Sequence, residues 1–298
     1  GGKLRPTAGL TVPGAESLPL GEVFALSNIR IKFIRGEEVK YISHLDLMKS
    51  FDRAIRRAEI PVIYSQGFNP HPNMVFGLPL SVGVTSQAEY ADFEVDDCIS
   101  PDEFMRRINN SLPPGLKVID AKKRRGKANI MASIGAASYD ILIATTLGTD
   151  VDAVSEKIKG FLGQACIYIE KQSKKGKKEI DIRPMIIRLE MKKQKHNPER
   201  NQAVDCSCKY ANSDIWLREY IENLYRGDVL PPSFDRESIM HLSALLSAGS
   251  MNNLKPELLV EALEKYTGQK LKVVKIHRTG LFIEKGGKLL EPLDGYVL

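Results

Sequence analysis

No apolar run in this 298-residue chain approaches the roughly 20 residues of a membrane-spanning helix, so no membrane partner is expected. Cysteine is scarce as well. Cys98, Cys166, Cys206 and Cys208 are too few for a disulfide framework in a chain this long, and they fit a reducing, cytoplasmic setting. The C-x3-C-x2-C cluster that holds an iron–sulfur site is missing. Cys206 and Cys208 form a lone C-x-C, with His196 ten residues upstream and no second pair to complete a four-ligand zinc site. A Gly-x-Ser-x-Gly elbow is absent, which weakens a hydrolase reading. Walker A and dinucleotide fingerprints are absent too. These absences lead us to expect no metal and no cofactor.

What the chain does have is an uneven cation distribution. The formal net charge is +6 and the isoelectric point is near 9.0. KKRRGK (122–127) places five cations in six residues, KQSKKGKK (171–178) five in eight, and KKQK (192–195) adds three. Any one such run can be a solvated hairpin tip or linker. Three runs together, beside a basic helix, point to a polyanion partner, with RNA the expected one.

The most distinctive stretch runs from Tyr41 to Thr85. Leu45, Met48, Phe51, Ile55 and Ala58 recur at helical spacing, and Ser43 stands where a side chain caps the first free N–H groups. Asp46, three residues on, makes an acidic variant of the capping box and suits the positive end of the helix dipole. Pro61 stops the helix. Lys49, Arg53, Arg56 and Arg57 fall on the outward face. In the loop that follows, Gly67 supplies special backbone angles and Pro70 and Pro72 supply fixed ones. Its amides can nest an anion, and Phe68 can stack on a base or anchor packing. His44 and His71 are candidates for acid–base chemistry or a phosphate contact, or they hold backbone by hydrogen bonds.

Residues 29–121 read as β-α-β-β-α-β: strand 29–35, helix 45–59, strand 61–66, strand 88–95, a helix opened by Pro101, and strand 116–121. Residues 122–137 form a basic linker. Residues 138–298 repeat the order with strand 139–145, helix 151–162, strand 166–170, a long strand 180–191 interrupted at Pro184, segment 238–248, a helix opened by Pro256, and strands over 271–284. The turn within those last strands falls at Gly286–Gly287 or near Thr279–Gly280. Segment 194–235 reads as an insertion holding the lone Trp216 in an amphipathic helix. The expected class is α+β, with two ferredoxin-like (split βαβ) units in tandem. Residues 1–28 are read as an extension, a cloning remnant or a truncated upstream segment, without a secretory signal.

Several segments resemble the radical SAM-linked proteins, a family defined largely as a domain of unknown function. They are IRIKFIR (29–35), SHLDLMKSFDRAIRRA (43–58), SQGFNPHP (65–72), LPLSVGVTS (78–86), EIDIRPMI (179–186), NNLKPELL (252–259) and KIHRTGLFIEKGG (275–287). The resemblance implies a partner, a radical SAM protein with a B12-binding domain. The leading expectation is therefore a non-catalytic accessory subunit that binds or presents RNA for modification or maturation. Its nucleic-acid contacts would be Lys49, Arg53, Arg56, Arg57, Gly67, Phe68, Asn69, His71, Lys122, Lys123, Arg124, Arg125, His277 and Arg278. The alternatives are a metal-free, RAMP-like endoribonuclease with His44 as general base, and a protein-interaction module with no RNA contact.

Overall fold

The computed structural model describes residues 26–124, 126, 128–173, 176–192, 239–249, 252–295 and 297. The expectations for Arg125, His196, Cys206, Cys208 and the Trp216 helix lie outside them. The chain is α+β. One mixed sheet of nine strands carries helices on one side, and a two-stranded ribbon stands apart from it.

In chain order the first half holds β1 (Leu26–Arg35), α1 (His44–Arg57), β2 (Met74–Phe76), β3 (Thr85–Asp96), α2 (Pro101–Asn109) and β4 (Leu116–Arg124). Then come α3 (Ile130–Ser133), β5 (Ile134–Thr145), α4 (Val151–Phe161), the ribbon β6 (Tyr168–Ser173) and β7 (Gly176–Asp181), and β8 (Ile186–Lys192). The chain continues through β9 (Met240–Ser247), α5 (Pro256–Thr267), β10 (Leu271–Lys285) and β11 (Lys288–Leu290). The sheet order is β4-β1-β3-β10-β5-β9-β8, with β2 on β3 and β11 on β10. The halves meet where β3 and β10 run parallel, with Thr85 opposite His277 and Ser86 opposite Arg278.

Period-two alternation explains how each half is filled. Ile29, Ile31 and Phe33 of β1 and Ala91 and Phe93 of β3 point toward α1 and α2. Phe33, Phe51, Phe76, Phe93 and Phe104 pack edge-on or tilted, at centroid spacings of 5.1–6.4 Å. Phe51 touches three of these rings and has no exposed surface, so Phe51→Ala is expected to cost about 3–5 kcal/mol in a urea melt. A cost below about 1 kcal/mol would contradict the packing described. In the second half Ile141 and Ile143 of β5, Leu242 of β9 and Ile276 of β10 face α4 and α5. Arg278, on that same side of β10, reaches Glu89 opposite Phe33. All four longer helices therefore cover one face of the sheet.

Three local expectations are corrected, and one left between two positions is settled. Segment 61–66 is no strand: it makes single bridges at Val62–Val95 and Tyr64–Pro72, and β2 takes the sheet position instead. Pro61, Pro70 and Pro72 lack the N–H groups a continuous ladder needs. The long strand 180–191 is cut by a 3-10 turn at Arg183–Met185 around Pro184, which sends β7 to pair with β6 rather than with the main sheet. Strand β4 runs on through Lys122, Lys123 and Arg124, paired with β1, where a linker was expected. Finally β10 is one strand through Lys285. Its register shifts at Arg278/Gly280, and the turn falls at Gly286 and Gly287, both at positive φ.

Candidate functional site

The N-terminus of α1 is built as its sequence suggested. The Asp46 N–H donates to Ser43 Oγ at 3.1 Å, and the hydroxyl returns a bond to the Asp46 carboxylate at 2.7 Å. That bond, with Lys49 beside it, holds the Asp46 carboxyl below its usual range. At the other end Glu59 takes a left-handed φ of 50°. Arg107 of α2 donates to the carbonyls of Ala58 and Glu59 at 2.9 and 2.5 Å, satisfying backbone that the helix leaves open.

Leu47, Phe51, Ala54 and Ile55 are buried, which turns Leu45, Lys49, Arg53, Arg56 and Arg57 outward. These cations are not equally available. Arg57 donates to the Ser111 carbonyl at 2.5 Å, and Arg56 pairs with Asp52 at 3.0 Å. Lys49 lies 3.7 Å from Asp46 in an exposed, weak pair. Arg53 has no ion-pair partner among the described residues. Lys49 and Arg53, one turn apart, are thus the cations best placed to meet an external anion.

The loop that follows α1 meets the helix at its base. Its base is pinned to β3: Ile63 N–H donates to Glu94 O, Glu94 N–H to Asn73 O, and Asn73 Nδ2 to the Glu94 carboxylate at 2.7 Å. Ser65 closes the loop, its N–H donating to His71 O and its hydroxyl accepting the His71 N–H. His71 thus holds the loop through its backbone. Residues Gln66 to His71 are all exposed, and Phe68 at the tip has no covered surface. Gly67 adopts φ +139°, a conformation other residues resist. Tyr64, at the base, lies under the Arg56 guanidinium at 5.3 Å, a stacking link between loop and helix that the sequence reading missed. A pinned loop therefore carries a bare aromatic ring at its tip and meets the basic helix at its base, through Arg56.

His44 opens α1 with its ring edge-on to Phe76 at 5.8 Å. Among the described residues no carboxylate, lysine or second histidine bonds to it, so no acid–base pair is assembled there. The β4 cations face other duties. Lys122 donates to the Leu293 carbonyl, Lys123 pairs with Asp97, and Arg124 binds the Ala128 carbonyl 3.6 Å from Asp92. Lys122 and Arg124 engage the Arg30 side of the sheet, away from α1.

His277 and Arg278 require a correction: both are buried at the seam between the halves, not exposed to a phosphate backbone. Arg278 is 2 % exposed and donates to Glu89 at 2.8 Å, to the Leu78 and Pro79 carbonyls, and to Tyr139 Oη. His277 Nδ1 is 2.8 Å from Thr85 Oγ1, while Lys275 of the same strand pairs with Glu37. A strand alternation cannot reveal partners about 190 residues away. Burial, with Lys275 nearby, pushes His277 down from 6.5 to about 4. Between those values the unfolded chain takes up a proton that the folded chain refuses, so stability falls as pH drops from about 6.5 to about 4. The loss is roughly 3 kcal/mol at full effect. A His277→Gln variant is expected to flatten that part of a stability–pH curve. A curve as steep as the parent's would contradict the assignment.

Among the described residues no three His, Cys, Asp or Glu side chains converge on a metal position, and no helix is long and apolar enough to cross a membrane. Among curated proteins, none matches the chain. Of solved structures, the chain is similar to an unknown protein from Galdieria sulphuraria, at 8 % identity and a TM-score of 0.23. That match covers 84 % of this chain and 98 % of the other. A family described as uncharacterized protein conserved in bacteria (DUF2344) matches residues 28–256, and the chain belongs to that family.

Proposed function

We propose that this chain is a non-catalytic RNA-binding subunit that presents RNA to a radical SAM enzyme for modification or maturation. The observation that carries the RNA reading is the bare Phe68 ring on a pinned loop whose base lies under Arg56 of the helix that also presents Lys49 and Arg53. A stacking platform with exposed cations is how single-stranded nucleic acid is held without reading its sequence. The phosphates supply affinity and the ring supplies position. Tyr41, three residues before α1, adds a second exposed ring. The radical SAM partner rests on the resemblance of segments such as 43–58 and 65–72, and a reducing cytoplasm is the setting that fits the scarce cysteine.

We read the sheet as two tandem ferredoxin-like units. Numbered within its own half, each set of four strands follows the order 4-1-3-2: β4-β1-β3-β2 and β10-β5-β9-β8. The repeated order supports that reading, with the β6–β7 ribbon inserted in the second unit.

Phe68→Ala is expected to weaken binding of a fluorescent single-stranded RNA by about 5- to 150-fold, since stacking is worth roughly 1–3 kcal/mol per base. Because the side chain is fully exposed, its loss leaves the melting curve in place. Anisotropy titrations of parent and variant at one salt concentration decide it. Equal affinities would remove the stacking role. A parent chain with no RNA affinity would turn the stripe into a docking surface for a protein.

A further inference from the structure

The sheet face opposite the helices holds a trough in the second half, with a volume of about 350 Å³. That falls within the usual size of small-ligand sites. Its floor is hydroxyl-rich: Ser138 and Asp140 of β5, Ser243 of β9 and Thr279 of β10. Strand β8 sets Arg188 and Lys192 along one side, and the β10–β11 hairpin sets Phe282 along the other. These residues share a face because β10, β5, β9 and β8 are neighbours in register, with Asp140 opposite both His277 and Ser243.

The floor is built rather than incidental. Asp140 is 2 % exposed, and one carboxylate oxygen lies 3.3 Å from Lys192 Nζ and 3.0 Å from His241 Nε2. Burial pushes the Asp140 carboxyl up, but His241 and Lys192 outweigh it and hold the group below its usual range. It is therefore an ionised acceptor at the bottom of a pocket. Ser138 and Thr279 share a hydrogen bond at 2.7 Å. A Cβ at Gly280 would sit 2.6 Å from the Phe282 ring and 2.7 Å from Ser138 Oγ. Glycine there lets the ring fold back against the strand beside the hydroxyls. Arg188 is 59 % exposed, with Glu190 at 3.8 Å, a rim pair that water screens.

We propose that the trough is a binding site for one ribonucleotide unit. Arg188 and Lys192 hold its phosphate, Asp140 with Ser138 and Ser243 takes the ribose hydroxyls, and Phe282 packs on the base. A carboxylate acceptor on a 2′-hydroxyl separates ribose from deoxyribose, and a rim arginine such as Arg188 suits a phosphate oxygen set. The unit can be a free nucleotide or the end of an RNA strand. The site lies on the face opposite α1 and does not depend on RNA binding by the α1 surface, so either reading can fail alone.

The test titrates the full chain with AMP, GMP, CMP and UMP by calorimetry, with dAMP and inorganic phosphate as comparators. Saturable one-to-one binding of a ribonucleotide is expected. Binding about 10-fold or more weaker for the deoxy form follows from the lost hydrogen bond to a charged group. Arg188→Ala, an exposed change that leaves the fold intact, is expected to weaken ribonucleotide binding about 10-fold or more. Arg106→Ala, an exposed change on α2, leaves it unchanged. Displacement of the nucleotide by a linear, 5′-phosphorylated oligoribonucleotide, but not by its circular form, identifies a strand end as the ligand. Displacement by neither identifies the free nucleotide. No saturable binding of any ribonucleotide at millimolar concentration, or equal affinity in Arg188→Ala, overturns the proposal.

Discussion

Asp92→Ala is expected to destabilise the protein by roughly 3–5 kcal/mol, because it strands a buried arginine. Asp92 accepts from Arg30 Nε at 2.6 Å and Nη2 at 3.0 Å, and from the Ile130 N–H at 3.0 Å. Arg30, 1 % exposed, also donates to the Pro292 carbonyl. One carboxylate therefore ties β1, β3, the start of α3 and the segment after β11. Glu291 adds bonds from Lys32 and Tyr90 nearby, and burial pushes the Tyr90 hydroxyl well above its ordinary range. Removing the carboxylate leaves the guanidinium with one carbonyl in a dry site. Urea melts of Asp92→Ala and of the double variant Asp92→Ala/Arg30→Met separate the causes. The account predicts that the double variant recovers part of the loss, since an unpaired buried charge costs more than a missing pair. A double variant no more stable than Asp92→Ala would contradict it.

Lys49→Glu/Arg53→Glu is the second large effect expected, this time on binding. Neither residue holds the fold: Lys49 has a weak exposed pair, and Arg53 has no ion-pair partner among the described residues. Arg56 and Arg57 are poorer choices because Asp52, Tyr64 and the Ser111 carbonyl already use them. If both cations contact phosphates, their loss lowers the slope of log affinity against log salt by about 1.4 for a single strand, at roughly 0.7 per phosphate. Reversal of sign adds repulsion, so affinity at low salt is expected to fall by about 100-fold or more. Anisotropy titrations across a salt series measure both quantities. An unchanged slope with unchanged melting would place the RNA contact elsewhere.

Much of the α1 site was legible in the sequence because its signals are local. The Ser43 cap, the buried Phe51 and Ile55 and the glycine at Gly67 each act within a few residues, although the stripe was read through Leu45, which is exposed, where Leu47 is the buried residue. The α+β class followed from alternating strand and helix patterns for the same reason. What stayed hidden depends on contacts between distant segments. Nothing near Arg278 announces Glu89, and an alternating strand reads the same whether its polar positions meet water or a buried carboxylate. The departure of β7 from the main sheet at Pro184 could be read as a break but not as a new partner. The trough needs four strands in one order before Asp140, Arg188 and Ser243 become neighbours.

The most direct test of the central claim is ultraviolet crosslinking of the purified full chain to total cellular RNA, with sequencing of the RNA and mapping of the crosslinked peptides. The account predicts enrichment of one RNA class, adducts at Phe68 and its neighbours in the 65–71 loop, and loss of both in Lys49→Glu/Arg53→Glu. RNA recovered no better by the parent than by that variant would contradict it, and would assign the basic stripe to a protein surface instead.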